Sequence, residues 1–198
     1  DFRMAGARDI SVSFSADSLT HFGGLFLLQR FAQRLGLRTL LAHRLQFPQR
    51  NNRYATSESV LAWLYPIILG LGRIETSRLL RHNGVFQYLT GLPTYPDPQT
   101  LRRFLIRFGQ AGLERFLRLH DELRLKLLGP RSSLTLDLDT SVLTVYGRQE
   151  DAAIGYNPKK RGRPSYLPLL GIDAQTGDCW EASYHPGNAH PSMIFRPL

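Results

Sequence analysis

Two carboxylates set two residues apart are the first side chains here whose type and spacing could do chemistry. They lie in Ser133–Gly147, where Leu134, Leu136 and Leu138 alternate with Thr135, Asp137 and Asp139. Period two is strand periodicity, so the leucines face a core and Asp137 and Asp139 share the opposite face. Two ionised carboxylates held that close repel each other and resist dehydration, and a divalent cation relieves both costs. The competing reading is an edge strand whose polar face simply meets water.

The second chemical feature is positive. Asn157–Pro164 reads Asn-Pro-Lys-Lys-Arg-Gly-Arg-Pro and packs Lys159, Lys160, Arg161 and Arg163 into five positions. Such a cluster repels itself unless water or phosphates screen it. Contact with DNA is one reading and a solvated hairpin loop is the other. Arg161-Gly-Arg-Pro also matches the extended hook that inserts arginines into a narrow A·T minor groove. Such hooks sit in disordered sequence, whereas patterned strands flank this one. Arg102 and Arg103, with Arg107, follow a capped helix start and are further candidates for phosphate contact, as are Arg50 and Arg53 in an earlier loop. Their ordinary role is the solvent face of a helix or loop. The histidines lack metal-binding helical spacing, and no Walker, dinucleotide or Gly-x-Ser-x-Gly motif occurs.

Composition narrows the partners. The 198 residues carry 25 Lys and Arg against 16 Asp and Glu, a formal charge of +9, which favours an anionic partner, nucleic acid first and an acidic membrane second. A single cysteine, Cys179, allows no intramolecular disulfide and fits a reducing cytoplasm. The longest apolar run, Val60–Gly72, contains Pro66 and falls short of the ~20 residues of a membrane span. No membrane partner is expected.

The elements that must position these residues fall into two groups, with a boundary near Gly129-Pro130. Before it the pattern is helical. Leu25–Leu35 is stopped by Gly36, Leu37–Leu45 follows, and Ser57 caps a helix through Ile68. Ile74–His82 stops at Asn83-Gly84, with one more turn at Val85–Leu89. Asp97-Pro98 starts a helix through Phe108, and Leu113–Leu128 follows with His120 on its inner face. After the boundary the period becomes two, with strands at Ser133–Tyr146, Tyr166–Asp173 and Asp178–His185. Ile10, Val12 and Phe14 suggest a short early strand. The expected class is mixed α/β, with 1–130 a helical DNA-binding region and 131–198 the start of a second domain.

Asp137-Leu-Asp139 after an apolar strand resembles the nucleophile motif of haloacid-dehalogenase-like phosphatases. Their usual Gly-Thr is replaced by Thr140-Ser141, so this is the minor alternative. A wider set of motifs resembles the DDE transposases of bacterial insertion sequences: Leu136–Gly147, Gln149-Glu150, Gly155–Tyr166, Pro168-Leu-Leu and His185-Pro-Gly-Asn-Ala-His190. The resemblance implies a helical region preceding an RNase H-like catalytic domain. It implies that Asp139, before Thr140-Ser141, is the first member of an Asp-Asp-Glu triad, with Asp137 as a second candidate ligand. It further implies Mg²⁺ or Mn²⁺, phosphodiester cleavage and strand transfer at double-stranded DNA, both element ends and target, with self-association on DNA in a bacterial cytoplasm. The second Asp and the Glu of the triad do not occur at the expected places; Glu150, Asp151, Asp173, Asp178 and Glu181 do not match them. The expectation is therefore an N-terminal fragment with an incomplete RNase H-like fold, inactive alone. The alternative is a non-catalytic DNA-binding or regulatory protein derived from a transposase.

Overall fold

A computed structural model describes residues 20–47, 53–92, 94–130 and 133–190. The expected strand at Ile10–Phe14, Arg50 and the segment Met193–Leu198 lie outside the described residues. The chain divides into two compact units, Asp1–Gly129 and Pro130–Leu198. The class is mixed α/β: six helices, then a five-stranded antiparallel sheet, among the described residues.

In the first unit α1 (Leu25–Leu35) and α2 (Leu37–Arg44) meet at Gly36, whose φ of 66° turns the chain where a side chain would be strained. Next come α3 (Thr56–Ile68), a 3₁₀ turn (Ile74–Ser77), α4 (Arg78–Arg81), α5 (Gly84–Thr90) and α6 (Pro98–Leu128). Apolar residues at helical spacing converge on Phe86, which is fully buried with Leu41, Leu45, Leu80, Leu92, Tyr95 and Leu101 around it. The Phe86 ring meets Phe22, Tyr65 and Tyr95 edge-on, at 5.6, 5.9 and 5.5 Å between centroids. Such pairs contribute roughly 0.5–1.5 kcal/mol each beyond area burial. The two buried phenols keep hydrogen bonds: Tyr95 donates to the Ala62 carbonyl and Tyr65 to Gln29 Oε1 at 2.9 Å. Burial pushes the Tyr65 phenol up to about 12 and raises that of Tyr95 as well.

The helix start expected at Ser57 is corrected. Ala55, not Ser57, precedes α3, and Glu58 reaches back to accept from the Ala55 N–H at 3.2 Å. The helix before Asn83-Gly84 ends at Arg81 as expected, and Asn83 also opens the next one: its Oδ1 accepts from Phe86 N at 2.8 Å, a cap for α5. The two helices expected on either side of residues 109–112 are both present within the span α6, meeting at a kink at Gly109, where φ is 50° and ψ is −165°. Asp97 caps it as expected, accepting from Gln99 N at 2.9 Å. His120 faces solvent, with a half-exposed side chain.

The second unit is organised on one central strand. β4 (Pro164–Asp173) pairs antiparallel with β1 (Leu136–Thr140), β2 (Leu143–Thr144), β3 (Ala153–Ile154) and β5 (Cys179–Pro186). Leu169–Ile172 pair with both β1 and β5, and Ser165 pairs with both Thr144 and Ala153, so β1 and β2 run along one side of β4 while β5 and β3 run along the other. The single strand expected at Ser133–Tyr146 is interrupted at Ser141–Val142, although Ser141 N still donates to the Pro168 carbonyl. The hairpin between β4 and β5 is closed by Asp173. Its buried carboxylate accepts from Gln175 N and from the Thr176 hydroxyl, both at 2.9 Å, which commits it to the turn.

Two glycines weld the far end of this sheet. A Cβ on Gly155 would lie 1.8 Å from the Gly187 carbonyl oxygen, and one on Gly187 would lie 2.2 Å from Ser165 Oγ. The backbones after β3 and after β5 therefore touch, with no room for a methyl group. That close approach brings the Gly155-Tyr-Asn-Pro and His185-Pro-Gly-Asn motifs together.

Candidate functional site

The register places each candidate. Asp137 is opposite Ile172 and Asp139 is opposite Leu170. Directly opposed residues of an antiparallel pair share a face, so both carboxylates lie on one face, as their spacing predicts. On β5 the same face carries Ala182 and Tyr184, opposite Leu170 and Pro168. The alternate face holds Leu136 and Leu138 on β1, and on β4 Leu167 and Leu169, which form the small buried cluster of this unit with Val142 and Ala189 packed against them. Both aspartates are exposed, and Leu138 is too, at 43%, where its alternation predicted burial. Leu138 lies across Gly171, whose position leaves no space for a side chain beneath it.

The composition of the acidic face is what sequence reasoning missed. Its competing reading was a polar face meeting water. Instead Asp137 and Asp139 border an exposed apolar strip that includes Leu170 at 45% and Tyr184 at 68% exposure, with the Tyr184 ring edge-on to Tyr166 at 6.0 Å. No residue in β1 signals this, because the strip comes from strands 25 to 50 positions later. Water can reach the carboxylates freely, and their oxygens are the donor type that Mg²⁺ and Mn²⁺ take. Among the described residues no third His, Cys, Asp or Glu joins them in a metal-holding group. Glu181, opposite Gly171, belongs to the other face, and Asp173 is held in its turn. Every strand pairing among the described residues is antiparallel, so the phosphatase reading lacks its parallel Rossmann-like sheet.

The basic run forms the connection from β3 to β4. Lys159, Lys160, Arg161 and Arg163 are all exposed. Its anchor is Asn157, a buried residue that the charge pattern did not single out. The Asn157 amide donates to Thr144 Oγ1 at 2.8 Å, and its Oδ1 accepts from Lys160 N at 2.9 Å. Gly162, at φ 73°, makes the tight turn that aims Arg161 and Arg163 outward. The Arg163 guanidinium lies 5.8 Å from the centre of the Tyr146 ring, a cation–π contact that holds it off the backbone. Arg163, the last of these cations, stands just before the β4 start, seven residues before Leu170, or about 23 Å along the strand from the level of Asp139.

Arg102 and Arg103 belong to the other unit. Arg102 is ion-paired with Glu75 of the 3₁₀ turn, so part of its charge is already satisfied within the fold. Arg103 is exposed, and its carbonyl accepts from Arg107 Nε. The structure thus brings Asp137 and Asp139 together and gathers the four loop cations.

No helix among the described residues is long and apolar enough to cross a membrane. No curated protein and no solved structure matches the chain. A family model does: the one described as transposase DDE domain group 1 matches residues 2–196. With nearly its whole length matched, the chain belongs to the DDE transposase domain family.

Proposed function

We propose that this chain acts in DNA transposition, binding element ends and contributing the first carboxylate of a metal-dependent phosphodiester cleavage and strand-transfer site. The observation that carries the reading is Asp139, water-accessible on the first strand of an antiparallel sheet in a strongly basic chain of this family. Asp139 is the catalytic ligand in this reading, and Asp137 is the second carboxylate available on its face. When bound, Mg²⁺ or Mn²⁺ would stabilise charge developing on the phosphodiester oxygens and lower the pKa of an attacking water or hydroxyl. The protein's share is to hold carboxylate oxygens on a rigid strand and to fix the DNA. Lys159, Lys160, Arg161 and Arg163 hold the DNA backbone beyond the end of the sheet, and Arg103 adds a contact from the helical unit. Arg102 contributes only if it leaves Glu75. The antiparallel order β1–β4–β5 is that of the opening strands of an RNase H-like sheet, the fold this reading assigns to residues 131–198. Residues 1–130 are then a helical DNA-binding region, and self-association on DNA follows from the need to hold two element ends.

A second reading, a DNA-binding regulator without catalysis, is favoured by one observation: no third carboxylate joins Asp137 and Asp139 among the described residues. One experiment separates them. Mn²⁺ binding is followed by electron paramagnetic resonance, and mobility is followed with a marker flanked by the DNA that neighbours the gene. The enzyme reading expects Asp139→Ala, placed in an enzyme that carries the rest of the triad, to abolish mobility, and in this chain to weaken Mn²⁺ binding while leaving DNA binding intact. Wild-type mobility in that variant refutes the assignment of Asp139. DNA binding by the native chain with neither mobility nor Mn²⁺ affinity favours the regulator.

A further inference from the structure

The helical unit carries a second concentration of arginine that neither the basic run nor the capped helix start points to. Arg115, Arg118 and Glu122 recur at i, i+3 and i+7 on α6 and therefore share one face. Arg44, in the last turn of α2, faces them, and with Leu119 these residues line a cavity of about 300 Å³. The lone carboxylate is already occupied. Arg44 Nε and Nη2 reach Glu122 Oε2 and Oε1 at 2.9 and 3.1 Å, a bidentate pair that also raises the Arg44 pKa. With that pair neutral, Arg115 and Arg118 leave the cavity at a net charge of +2.

Arg115 is held in place before any ligand arrives. Its Nη1 donates to the Gln46 carbonyl at 2.7 Å, and its guanidinium lies 5.1 Å from the centre of the Phe47 ring. The carbonyl end of α2, which would repel an anion, is thereby partly covered by a cation. Arg118 has no hydrogen-bond or ion-pair partner among the described residues. A planar guanidinium with free donors beside a second, stacked one suits an oxygen anion, because two forks can bracket tetrahedral phosphate oxygens. One fixed cation, one free cation and a neutralised carboxylate do not suit a carboxylate-rich protein surface as well, since such a surface would have to displace Arg44 from Glu122.

We propose that Arg44, Arg115 and Arg118 form a binding site for the phosphodiester backbone of duplex DNA on the helical unit. The proposal rests on the DNA-binding reading above and adds to it a second, separate point of attachment. Arg115 and Arg118 bind phosphate oxygens directly, and Arg44 acts as a positioning residue that keeps Glu122 from competing.

The test is fluorescence anisotropy of a labelled duplex across a salt titration, using the native chain, Arg118→Gln, and the Arg115→Gln/Arg118→Gln double variant. Circular dichroism checks that each variant is folded. Arg118→Gln removes a side chain with no partner among the described residues, so it tests the site without disturbing the fold. Removing one cation from a DNA phosphate lowers the slope of log K against log salt by about 0.9, or about eightfold in affinity at 0.1 M salt. The expected result is that reduction for Arg118→Gln and about twice the slope change for the double variant. Unchanged slopes in both variants, with the native chain still binding, overturn this site and leave the DNA-binding reading standing. No binding by the native chain at low salt overturns both. A free-phosphate site would instead show millimolar inorganic phosphate, at constant ionic strength, displacing the duplex from the native chain but not from the double variant. That result also overturns the proposal.

Discussion

Replacing Gly155 by alanine puts one methyl group where the backbone of Gly187 already lies. The new Cβ would stand 1.8 Å from the Gly187 oxygen, 2.4 Å from its carbonyl carbon and 2.7 Å from Asn188 Cα. The closest ordinary approach of carbon to a carbonyl oxygen is about 3.3 Å, so the two segments must separate by about 1.5 Å. No flexible side chain is available to absorb that movement, since all three atoms are backbone. Separation threatens the Gly187 N–H bond to the Ser165 carbonyl, 2.8 Å long, and the pairing of Ala153 with Ser165. Overpacking costs about 1–3 kcal/mol, and breaking a backbone hydrogen bond adds about 1 kcal/mol. The expected destabilisation of the sheet unit is thus about 3 kcal/mol. In a small domain that lowers Tm by more than about 12 °C. The chain has two tryptophans, Trp63 in α3 and Trp180 in β5. A Trp63→Phe background leaves Trp180 as a reporter of the sheet alone during urea unfolding. Gly72→Ala, where a Cβ meets nothing within 4 Å, serves as the control. A Gly155→Ala midpoint matching that of its background would refute the close approach and the joining of the two motifs.

Asn157→Ala should release the basic hairpin from β2 by removing the bonds to Thr144 Oγ1 and Lys160 N. Loss of a buried, satisfied amide costs about 1–3 kcal/mol, and faster hydrogen exchange at the Lys160 amide, with weaker DNA binding, is the readout; unchanged exchange would show that the anchor is absent. The helical unit should lose stability at alkaline pH through Tyr65. Its folded pKa of about 12 exceeds the unfolded value near 10, so its share is constant below pH 10 and is lost as pH rises toward 12. The slope in that window approaches about 1.4 kcal/mol per pH unit. Tyr95, raised by burial as well, adds its own slope in that window, so Tyr65→Phe should make the alkaline loss shallower by the Tyr65 share, and equal alkaline slopes in the two proteins would count against burial of that phenol.

The period of the apolar residues was enough to locate the change from helices to strands and to place Asp137 and Asp139 on one face, because side-chain direction in a strand is a local property of the backbone. Capping chemistry was legible at Asp97 for the same reason. The same local logic stopped the preceding helix at Asn83-Gly84, where α4 does end, but did not show that Asn83 also caps α5. Charge alone picked out the Lys159–Arg163 run but not Asn157, whose importance depends on Thr144 lying across the sheet. Only the tertiary structure decided the surroundings of Asp139. Strand pairing sets Leu170 opposite it and Tyr184 near it, and pairing partners dozens of residues away leave no trace in the residues they meet. The type and spacing of the chemical groups were thus determined by sequence, while their neighbours were decided by register, which exists only once the sheet has formed.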